Sequence, residues 1–560
     1  MPYLAIDDFK SGLDSRKSPL TAPAGSLTRL VNAAVTPGGE IQKRRAFVKV
    51  ASLAGTTGLA AIGSKVVAFT RDTTVTAPPL NMVNNIATLE FHKLPLTSTT
   101  AKQTDFEVFD GNLYVVFYDK NGATPAAKNP HYYFDATASE GHTPTNAYVQ
   151  TEGSGKGYNI RAFQGKMYSV TGKYIYFSSI KYPLLWEEAA KTPPSGATVV
   201  SVLPVQGVTN ERVIIVSSKK TYRWNVGANN IGNWVEETTT PADLTWIDQS
   251  TQRTGCGYIN TSLQETSGFG LQGIEIYYDK LAVMSDATTQ LWSMDPDPNQ
   301  NSLAQVLRNA GTRAPKSVQQ YGSGDVLYLG SSGIRSLKAR DASNSAAVTD
   351  IGSPVDNYIR GLAQKYPNGV SYLNNCVAIN EPIVGRFWAV FPNEILVLSY
   401  FPGPKVQAWS VYTTTFIIDY VVTAGDTIFI RSGDDLYAFG GRTGLEYDNC
   451  APAGVDVRFP YLDGGKPGHQ KTFQALDATA EGAWAVAVSY NFDMQDAEEI
   501  LGTLYPLPGK DTVSASTWNK GRFAMQGYAS HVSMRFYNTT NTSATLSNCA
   551  IHYNLADDEA

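Results

Sequence analysis

The sequence predicts an all-β protein with an irregular, propeller-like body, an additional C-terminal β-sandwich and few short helices. Aromatic residues make up 11% of the chain and charged residues 17%, with 48 Gly and 29 Pro. Such a composition favours strands and turns over helices. Short apolar runs alternate with Gly-containing or Asn-containing turns from about residue 51 to 450. Closing these small sheets into a ring would protect their edges, which favours a propeller over a set of sandwiches.

Three regions follow from changes in this strand–turn rhythm. Residues 1–50 are irregular and are predicted to form an N-terminal platform or interface segment. Residues 51–450 form the body, and an inserted loop is predicted near 227–270, where Asn, Thr, Gly and Ser dominate. Residues 451–560 have longer strands and are predicted to form a compact sandwich. The turns in the body are unevenly spaced, unlike the ~40–50-residue repeat of a regular propeller.

Local patterns predict particular hairpins. Residues 325–329 and 334–337 are β-branched or aromatic runs on either side of a Ser-Ser-Gly turn, with a weaker strand near 317–318. Asp110-Gly111-Asn112 lies between two apolar runs, which is a strong hairpin signal.

One helix is also predicted. Ser353 fits the N-cap, and Pro354 fits the first helical position. Val355, Ile359 and Leu362 then fall on one face.

The charge balance gives no global footprint for nucleic-acid binding, because the net charge is -5 and the pI is about 5.8. Such a weakly charged surface would still suit a channel through which DNA merely passes. Lys43, Arg44 and Arg45 form the most basic spot, either as a solvated strand face or as a contact with a partner protein or phosphate. The four cysteines are widely spaced and are predicted to be reduced, mostly buried thiols.

The sequence shows no targeting signal and no apolar run near the ~20 residues of a membrane-spanning helix. The chain is therefore expected to be soluble and made in a cytoplasm. None of the six histidines lies in a metal-binding spacing, and no P-loop, Rossmann fingerprint or nucleophile elbow is present. The loop around Asp295 has oxygen ligands for calcium, but a solvated loop is favoured. No catalytic, metal or cofactor site is predicted, although a glycosidase could use carboxylates that are distant in sequence.

Several stretches resemble the tail nozzle proteins (tail tubular or packaged-DNA stabilisation type) of short-tailed bacteriophages. Over about residues 1–450 they are DFKSGLDSR (8–16), PAGSL (23–27), TPGGEIQKR (36–44), APKSV (314–318), DVLYL (325–329), GIRSL (333–337), DIGSPVD (350–356), WSVY (409–412) and LYAF (436–439).

The resemblance implies a structural virion protein and no enzymatic activity. Such nozzles form a homohexameric ring on a propeller-like body, below the portal and the adaptor (head-to-tail connector) protein. They line the channel, retain the packaged genome until ejection and carry tail fibres or tailspikes. Double-stranded DNA would pass through without sequence-specific binding. The protein would be made in the host cytoplasm and end in the phage tail. Arg16, Lys43, Arg44 and Arg45 are the candidate contacts with the adaptor or a neighbouring subunit.

Two other functions remain open at this stage. A propeller-type glycan hydrolase or depolymerase at the tail tip predicts a cleft with two carboxylates about 5–10 Å apart. A tail-tip protein that binds glycan without cutting it predicts an exposed patch of Trp and Tyr.

Overall fold

The computed structural model describes most of the chain, in segments. The described residues are 2–70, 88–93, 100–109, 111–122, 131–134, 148–150, 157–179, 182–186, 201–206, 211–216, 221–226, 232–236, 257–264, 270–295, 300–322, 324–339, 346–366, 369–441, 446–447, 454–493, 498–504 and 518–556.

The described residues are mostly β-strands. In chain order the strands are β1 (Tyr3–Ile6), β2 (Gly12–Leu13), β3 (Ser26–Leu27), β4 (Arg29–Val31), β5 (Ala33–Val35), β6 (Ile41–Lys43), β7 (Phe47–Ser52), β8 (Thr56–Ile62), β9 (Lys65–Thr70), β10 (Thr88–Lys93), β11 (Lys102–Phe109), β12 (Asn112–Tyr118), β13 (His131–Phe134), β14 (Tyr148–Gln150), β15 (Ile160–Phe163), β16 (Lys166–Thr171), β17 (Tyr174–Ser179), β18 (Tyr182–Trp186), β19 (Ser201–Gln206), β20 (Glu211–Val216), β21 (Thr221–Val226), β22 (Gly232–Glu236), β23 (Gly257–Asn260), β24 (Gly273–Tyr277), β25 (Lys280–Met284), β26 (Thr288–Ser293), β27 (Ser302–Arg308), β28 (Gln319–Tyr321), β29 (Asp325–Gly330), β30 (Gly333–Ala339), β31 (Ala346–Thr349), β32 (Val377–Asn380), β33 (Phe387–Val390), β34 (Glu394–Phe401), β35 (Val406–Thr413), β36 (Tyr420–Ala424), β37 (Thr427–Ser432), β38 (Asp435–Phe439), β39 (Val455–Arg458), β40 (Lys471–Glu481), β41 (Trp484–Ser489), β42 (Glu499–Leu504), β43 (Trp518–Ala529), β44 (Ser533–Asn538) and β45 (Thr545–Leu555).

The helices in the described segments are short. They are the α-helices α1 (Asp356–Lys365) and α2 (Gly369–Asn374), and 3₁₀ turns at Ser262–Gln264, Pro315–Ser317 and Ser353–Val355. No helix of the described residues is long and apolar enough to cross a membrane.

The chain divides into two compact units, and each is described by itself. Unit 1 comprises Met1–Ser52, Pro78–Thr88 and Ile351–Ala560, and unit 2 comprises Leu53–Ala77 and Leu89–Asp350. The predicted boundary at 50 lies close to the end of the first segment of unit 1 at Ser52. The predicted boundary at 450 is not a boundary, because unit 2 ends at Asp350 and the strands beyond it share sheets with the N-terminal and C-terminal strands.

Unit 2 is a succession of small antiparallel sheets in which sequence neighbours pair. The sheets are β8–β10, β11–β14, β15–β18 with β23, β19–β22, β24–β27 and β28–β31. The first strands of successive sheets lie side by side: β8 with β11, β11 with β15, β15 with β24, and β24 with β28. This is the predicted propeller-like body, with four-stranded meanders as its repeating element.

The predicted hairpins of this body are confirmed. Strands β29 and β30 pair antiparallel, with Gly330 opposite Gly333, and Gly333 has the positive φ that the turn requires. Val326 and Leu337 are buried in the core below this hairpin. In β11 and β12, Phe109 lies opposite Asn112, as the Asp-Gly-Asn turn predicts. The weaker strand predicted near 317–318 is present as β28, which begins at Gln319 after a 3₁₀ turn that ends at Ser317 and which pairs with β29.

The insertion is longer than the loop predicted near 227–270, and it contains β-strands. Strand β23 pairs with β17 and so completes the sheet that begins at β15. The chain between them carries β18 and the separate sheet β19–β22, so the insertion begins just after Ser179. Strand β22 lies inside the stretch that was predicted to be a loop, as does β23.

Unit 1 contains the predicted sandwich, but N-terminal strands complete it. One sheet has the order β43-β40-β45-β6-β5 with β1 beside β45, and the other runs β32-β33-β34-β35-β4-β39-β44-β41-β42. Phe473 of the first sheet contacts Tyr490 beyond β41 of the second, with ring centroids 5.8 Å apart. A third sheet joins β36–β38 to β7. Residues 1–50 are therefore an integral part of unit 1 and not a separate segment.

The predicted helix is present as α1, with one correction at its start. Ile359 and Leu362 are buried, which confirms the predicted apolar face. Ser353 is not its N-cap, because Ser353–Val355 form a 3₁₀ turn and α1 follows with Val355 at the N-cap. Pro354 fits the first turn of this 3₁₀ segment, where no backbone N–H is needed.

Candidate functional site

Arg16 lies on the surface of unit 1 and pairs with its neighbour Asp14. The Arg16 Nε and Nη2 atoms donate to the two Asp14 carboxylate oxygens at 2.9 and 2.7 Å. Burial alone would raise the pKa of the Asp14 carboxyl, but the bonds from Arg16 hold that pKa below its usual value. Arg16 remains more than half exposed, so a contact with a partner through its outer face stays a prediction.

Lys43 and Arg44 are buried, which corrects their prediction as partner contacts. The Lys43 ammonium donates to the Asn538 side-chain oxygen at 2.7 Å and to the Thr540 carbonyl. The Arg44 guanidinium donates to Asn32 Oδ1 at 2.9 Å and to the Thr413 carbonyl at 3.0 Å. These two buried cations are hydrogen-bonded to polar groups within unit 1, so they are not available to a partner.

Arg44 also lies over aromatic rings. Its guanidinium carbon is 4.8 Å from the centroid of Phe47 and 5.8 Å from that of Tyr412. Such cation–π contacts stabilise a desolvated guanidinium. Arg45, the third member of the basic spot, is exposed, and its role as a contact stays a prediction.

Parts of three stretches that carry the nozzle resemblance (8–16, 350–356 and 409–412) meet in unit 1. With the adjoining Asn357 and Thr413, we name residues 12–15, 351–357 and 409–413 the motif junction. Gly12 pairs in parallel with Trp409. The Ser15 backbone N–H and hydroxyl both donate to the Pro354 carbonyl at 2.7 Å. The Asn357 amide donates to the Ser15 carbonyl at 2.7 Å. Stretches hundreds of residues apart thus depend on one another for their hydrogen bonds.

Gly12 is the tightest point of the motif junction. Its φ is +57°, and a Cβ there would lie 2.7 Å from Ala408 Cβ and 2.8 Å from the Trp409 carbonyl oxygen. Trp409 is fully buried, and its indole N–H donates to the Ile351 carbonyl at 3.0 Å. The backbone can approach β35 this closely only because the residue is glycine.

A row of arginines on the second sheet of unit 1 was not predicted from the sequence. Arg458 on β39 lies directly opposite Arg29 on β4 and Arg535 on β44. We name Arg29, Arg458 and Arg535 the arginine row. Their backbone neighbours on the other face, Leu30 and Val457 among them, are fully buried, so the row faces away from the core.

Two carboxylates hold the arginine row together. Asp456 forms an ion pair with Arg29, whose Nε is 2.9 Å from Oδ2, and accepts a hydrogen bond from Arg535 Nε at 2.7 Å. Glu498 accepts from Arg535 at 2.8 Å and also from Arg458. Both acids raise the pKa of Arg535, mainly through the hydrogen bonds to Asp456, although burial opposes the shift. Among the described residues, three guanidinium groups thus share two carboxylates.

Unit 2 contains the opposite arrangement, one arginine among three carboxylates, on the first strands β11, β15 and β24. Arg161 Nη1 donates to Asp105 Oδ2 at 3.0 Å, and its Nε donates to Glu275 Oε2 at 3.3 Å. Glu107, two residues from Asp105 on β11, is the third carboxylate that interacts with Arg161. We name these four residues the inner cluster.

Glu107 is the perturbed member of the inner cluster. Burial raises the pKa of its carboxyl from 4.5 to about 7, and the negative charges of Asp105 and Glu275 add to this rise. Arg161 opposes the shift but is already bonded to the other two carboxylates. At neutral pH Glu107 is therefore partly protonated, and it lies beside two further carboxyl groups. Glycosidases use pairs of carboxyl groups of which one is protonated.

Three tyrosines lie together on the sheet that precedes the insertion. Tyr176 on β17 lies opposite Tyr258 on β23, and Tyr174 shares their face. Their ring centroids are 5.0–6.2 Å apart. Tyr258 is 51% exposed. This is the kind of exposed aromatic patch that the glycan-binding hypothesis predicts.

No group of three or more His, Cys, Asp or Glu residues suited to a metal ion occurs within the described segments. The calcium-type loop considered from the sequence lies mostly outside them, from residue 296 to 299. Cys376 and Cys549 are free and buried, as predicted. Cys256 and Cys450 lie outside the described residues.

Comparisons with known proteins give only distant likenesses. No protein-family profile and no curated protein matches the chain. Among solved structures, virginiamycin B lyase from Staphylococcus aureus has a TM-score of 0.28 at 9% identity, covering 61% of this chain and 96% of its own. The Pan2 WD40 domain of Neurospora crassa has a TM-score of 0.25 at 9% identity, with coverages of 60% and 88%. An exo-β-1,3-galactanase from Phanerochaete chrysosporium has a TM-score of 0.18 at 10% identity, with coverages of 80% and 95%. Such low TM-scores carry no argument about function.

Proposed function

We propose that this propeller-type protein is the nozzle subunit of a short phage tail. Six copies would form a ring below the portal and adaptor, line the channel for double-stranded DNA and retain the genome until ejection. In this proposal the chain is a structural component of the virion that carries fibres or tailspikes and catalyses no reaction.

The motif junction is the observation that carries this proposal. The resemblance to nozzle proteins came from short stretches that are only moderately specific one by one. Residues 12–15, 351–357 and 409–413 nevertheless form a single hydrogen-bonded contact in unit 1. Their convergence supports reading them as one signature.

The test is the assembly state of the purified chain, alone and mixed with the adaptor of the same phage. Mass photometry and negative-stain imaging would show a sixfold ring, alone or on the adaptor. A chain that stays monomeric and ignores the adaptor at micromolar concentration would contradict the proposal. The copy number relative to portal protein in purified particles gives an independent check, with six nozzle copies expected per twelve portal subunits.

A glycan hydrolase is the second candidate, and the inner cluster favours it. Glu107 would act as the general acid and Asp105 or Glu275 as the second catalytic carboxyl group. The test is release of reducing ends from polysaccharide of the host surface, compared between the wild type and Glu107→Gln. Turnover that disappears in this variant would support the enzyme. Equal turnover, or none in either protein, would contradict it.

A further inference from the structure

The three tyrosines on β17 and β23 share their face of the sheet with an asparagine. Asn260 lies directly opposite Tyr174, just as Tyr258 lies opposite Tyr176. Side chains that lie directly opposite one another in an antiparallel pair point to the same face. Tyr258 and Asn260 are exposed, and Tyr174 and Tyr176 are half-buried, so all four reach solvent. We name these four residues the tyrosine face.

The other side of the same strands anchors the tyrosine face. Ile175 and Phe177 alternate with the tyrosines along β17, and both are buried in the core of unit 2. The Asn260 side-chain oxygen accepts from the Ser262 backbone N–H at 3.0 Å, which fixes the orientation of the amide group. The tyrosine face therefore lies on a packed support, and its outer side chains remain accessible.

The three rings do not lie in one plane. The ring planes of Tyr174 and Tyr258 are 77° apart, and that of Tyr176 is 58° from the first and 52° from the second. One flat group cannot stack on all three rings. A ligand made of several linked rings, each with its own orientation, can place one ring against each tyrosine. Each tyrosine also offers a hydroxyl group, and Asn260 offers an amide.

We propose that the tyrosine face binds an oligosaccharide of the host surface. The C–H groups of a sugar ring pack against the face of a tyrosine ring, and the sugar hydroxyls exchange hydrogen bonds with phenol and amide groups. The tyrosine face would hold the glycan without cleaving it. The choice of the host surface as the source of the sugar rests on the proposed phage function, whereas the chemistry of the site does not.

The polar character of the tyrosine face favours a glycan over a protein. Tyrosine is common in protein interfaces, but the buried core of such an interface is mostly apolar. Here every tyrosine carries a hydroxyl group, and the next residue across the ladder from Tyr174 is Thr171. Leu263 is 91% exposed in the 3₁₀ turn that follows β23. A protein docked here would cover Leu263 as well, so this residue distinguishes the two occupants.

The experiment is native affinity electrophoresis in gels that contain increasing amounts of O-polysaccharide or capsular polysaccharide purified from the host strain. Retardation of the full-length chain gives its dissociation constant. The variants are Tyr258→Ala, Tyr258→Phe and Asn260→Ala. Leu263→Ser is one control, and Tyr528→Ala is the other, because Tyr528 is 65% exposed on β43 of unit 1. Thermal unfolding shows that each variant folds.

The expected result is a dissociation constant raised about tenfold by Tyr258→Ala, which removes a whole ring. Tyr258→Phe keeps the ring and loses the hydroxyl group, and Asn260→Ala loses the amide, so each should raise the constant about threefold. Both controls should bind as the wild type does. If Tyr258→Ala fails to fold, the two milder variants still decide the question.

Three outcomes would overturn the inference. No retardation of the wild type by either polysaccharide, or equal retardation of the wild type and Tyr258→Ala, excludes sugar binding at the tyrosine face. A loss of polysaccharide binding that is as large in Leu263→Ser as in Tyr258→Ala contradicts a site confined to the four residues. Retardation by single-stranded oligodeoxythymidylate instead of polysaccharide, abolished by Tyr258→Ala, assigns the rings to nucleobases.

Mass photometry of the same preparations separates this inference from the proposed function. A ring that ignores both polysaccharides overturns the inference and leaves the nozzle proposal standing. A monomer that ignores the adaptor but is retarded through Tyr258 supports the inference and contradicts the nozzle proposal.

Discussion

Unit 1 and unit 2 hold distant parts of the chain together by different means. In unit 2 the mostly buried guanidinium of Arg161, on the first strand of one sheet, pairs with carboxylates on the first strands of two neighbouring sheets. In unit 1 distant segments are joined by close backbone packing at Gly12 and by the buried cations Lys43 and Arg44. The arginine row is exposed mainly at Arg29. Buried charge makes a unit sensitive to pH and to loss of one partner, whereas surface charge costs little to remove and is free to bind something else.

The largest effect is expected from removal of the buried cation of unit 2. Arg161→Met should destabilise the protein by about 3–5 kcal/mol, because Asp105, Glu107 and Glu275 would lose their counter-charge in a partly desolvated site. Urea unfolding followed by fluorescence measures this. The matched control is Lys280→Met, whose partner Asp279 is 71% exposed, and which should cost less than about 1 kcal/mol. An equal loss of unfolding free energy in the two variants would show that the buried and the surface charge contribute alike.

The next effect concerns the backbone contact of unit 1. Gly12→Ala should cost about 2–4 kcal/mol, because the new methyl group would overlap Ala408 and the Trp409 carbonyl as well as straining the backbone. Gly63 is the matched control, since it has the same φ of +57° and no atom within 4 Å of a built Cβ. Gly63→Ala should show the backbone strain alone, about 1 kcal/mol. A Gly12→Ala protein no less stable than Gly63→Ala would show that the close packing is unimportant.

A smaller effect is expected from Glu107, and it appears only in the pH dependence of the unfolding free energy. Its folded pKa of about 7 lies above the ordinary 4.5, so the folded state binds this proton more tightly than the unfolded state does. The stabilisation that this proton gives to the folded state is therefore complete below pH 4.5 and is lost as the pH rises to about 7. Glu107→Gln should remove this slope and leave the variant about 2 kcal/mol more stable than the wild type above pH 7. Unfolding free energies at pH 4.5, 6 and 8 measure it, and parallel curves for both proteins would refute the assignment.

The smallest effect on stability is expected at the arginine row. Arg29→Ala should change the unfolding free energy by less than about 1 kcal/mol, because the ion pair with Asp456 is solvated on one side. Thermal unfolding at a concentration where the wild type is monomeric measures this change. A large loss of stability in the monomer would mean that the row is structural and that unit 1 resembles unit 2 after all.

The hairpins of unit 2 and the apolar face of α1 were predictable because their signals are local. Asp-Gly-Asn and Ser-Ser-Gly turns fix the pairing of strands on either side, and Ile359 and Leu362 have helical spacing. The insertion was misplaced for a related reason. Strands β18–β22 have the same strand–turn rhythm as the body, so only pairing of β17 with β23 reveals where the body resumes.

The candidate sites depend on pairings that no local pattern encodes. Lys43 and Arg44 looked like a basic surface because they are adjacent, yet their side chains reach Asn538 and Thr413, each hundreds of residues away. Arg29, Arg458 and Arg535 are isolated in the sequence and become neighbours only through the β4–β39–β44 pairing. The inner cluster arises in the same way, since Asp105, Arg161 and Glu275 share no motif.

The pairing of β7 with β38 has a consequence for synthesis on the ribosome. Phe47 of β7 lies opposite Phe439 of β38, so β7 leaves the ribosome long before its partner strand β38 is made. At ~5–20 residues per second the interval is on the order of tens of seconds. Throughout it, β7 is an open edge of the kind that recruits chaperones or pairs with the wrong nascent chain. Yield of native protein should therefore respond to translation rate and growth temperature more steeply than the stability of the finished molecule would suggest.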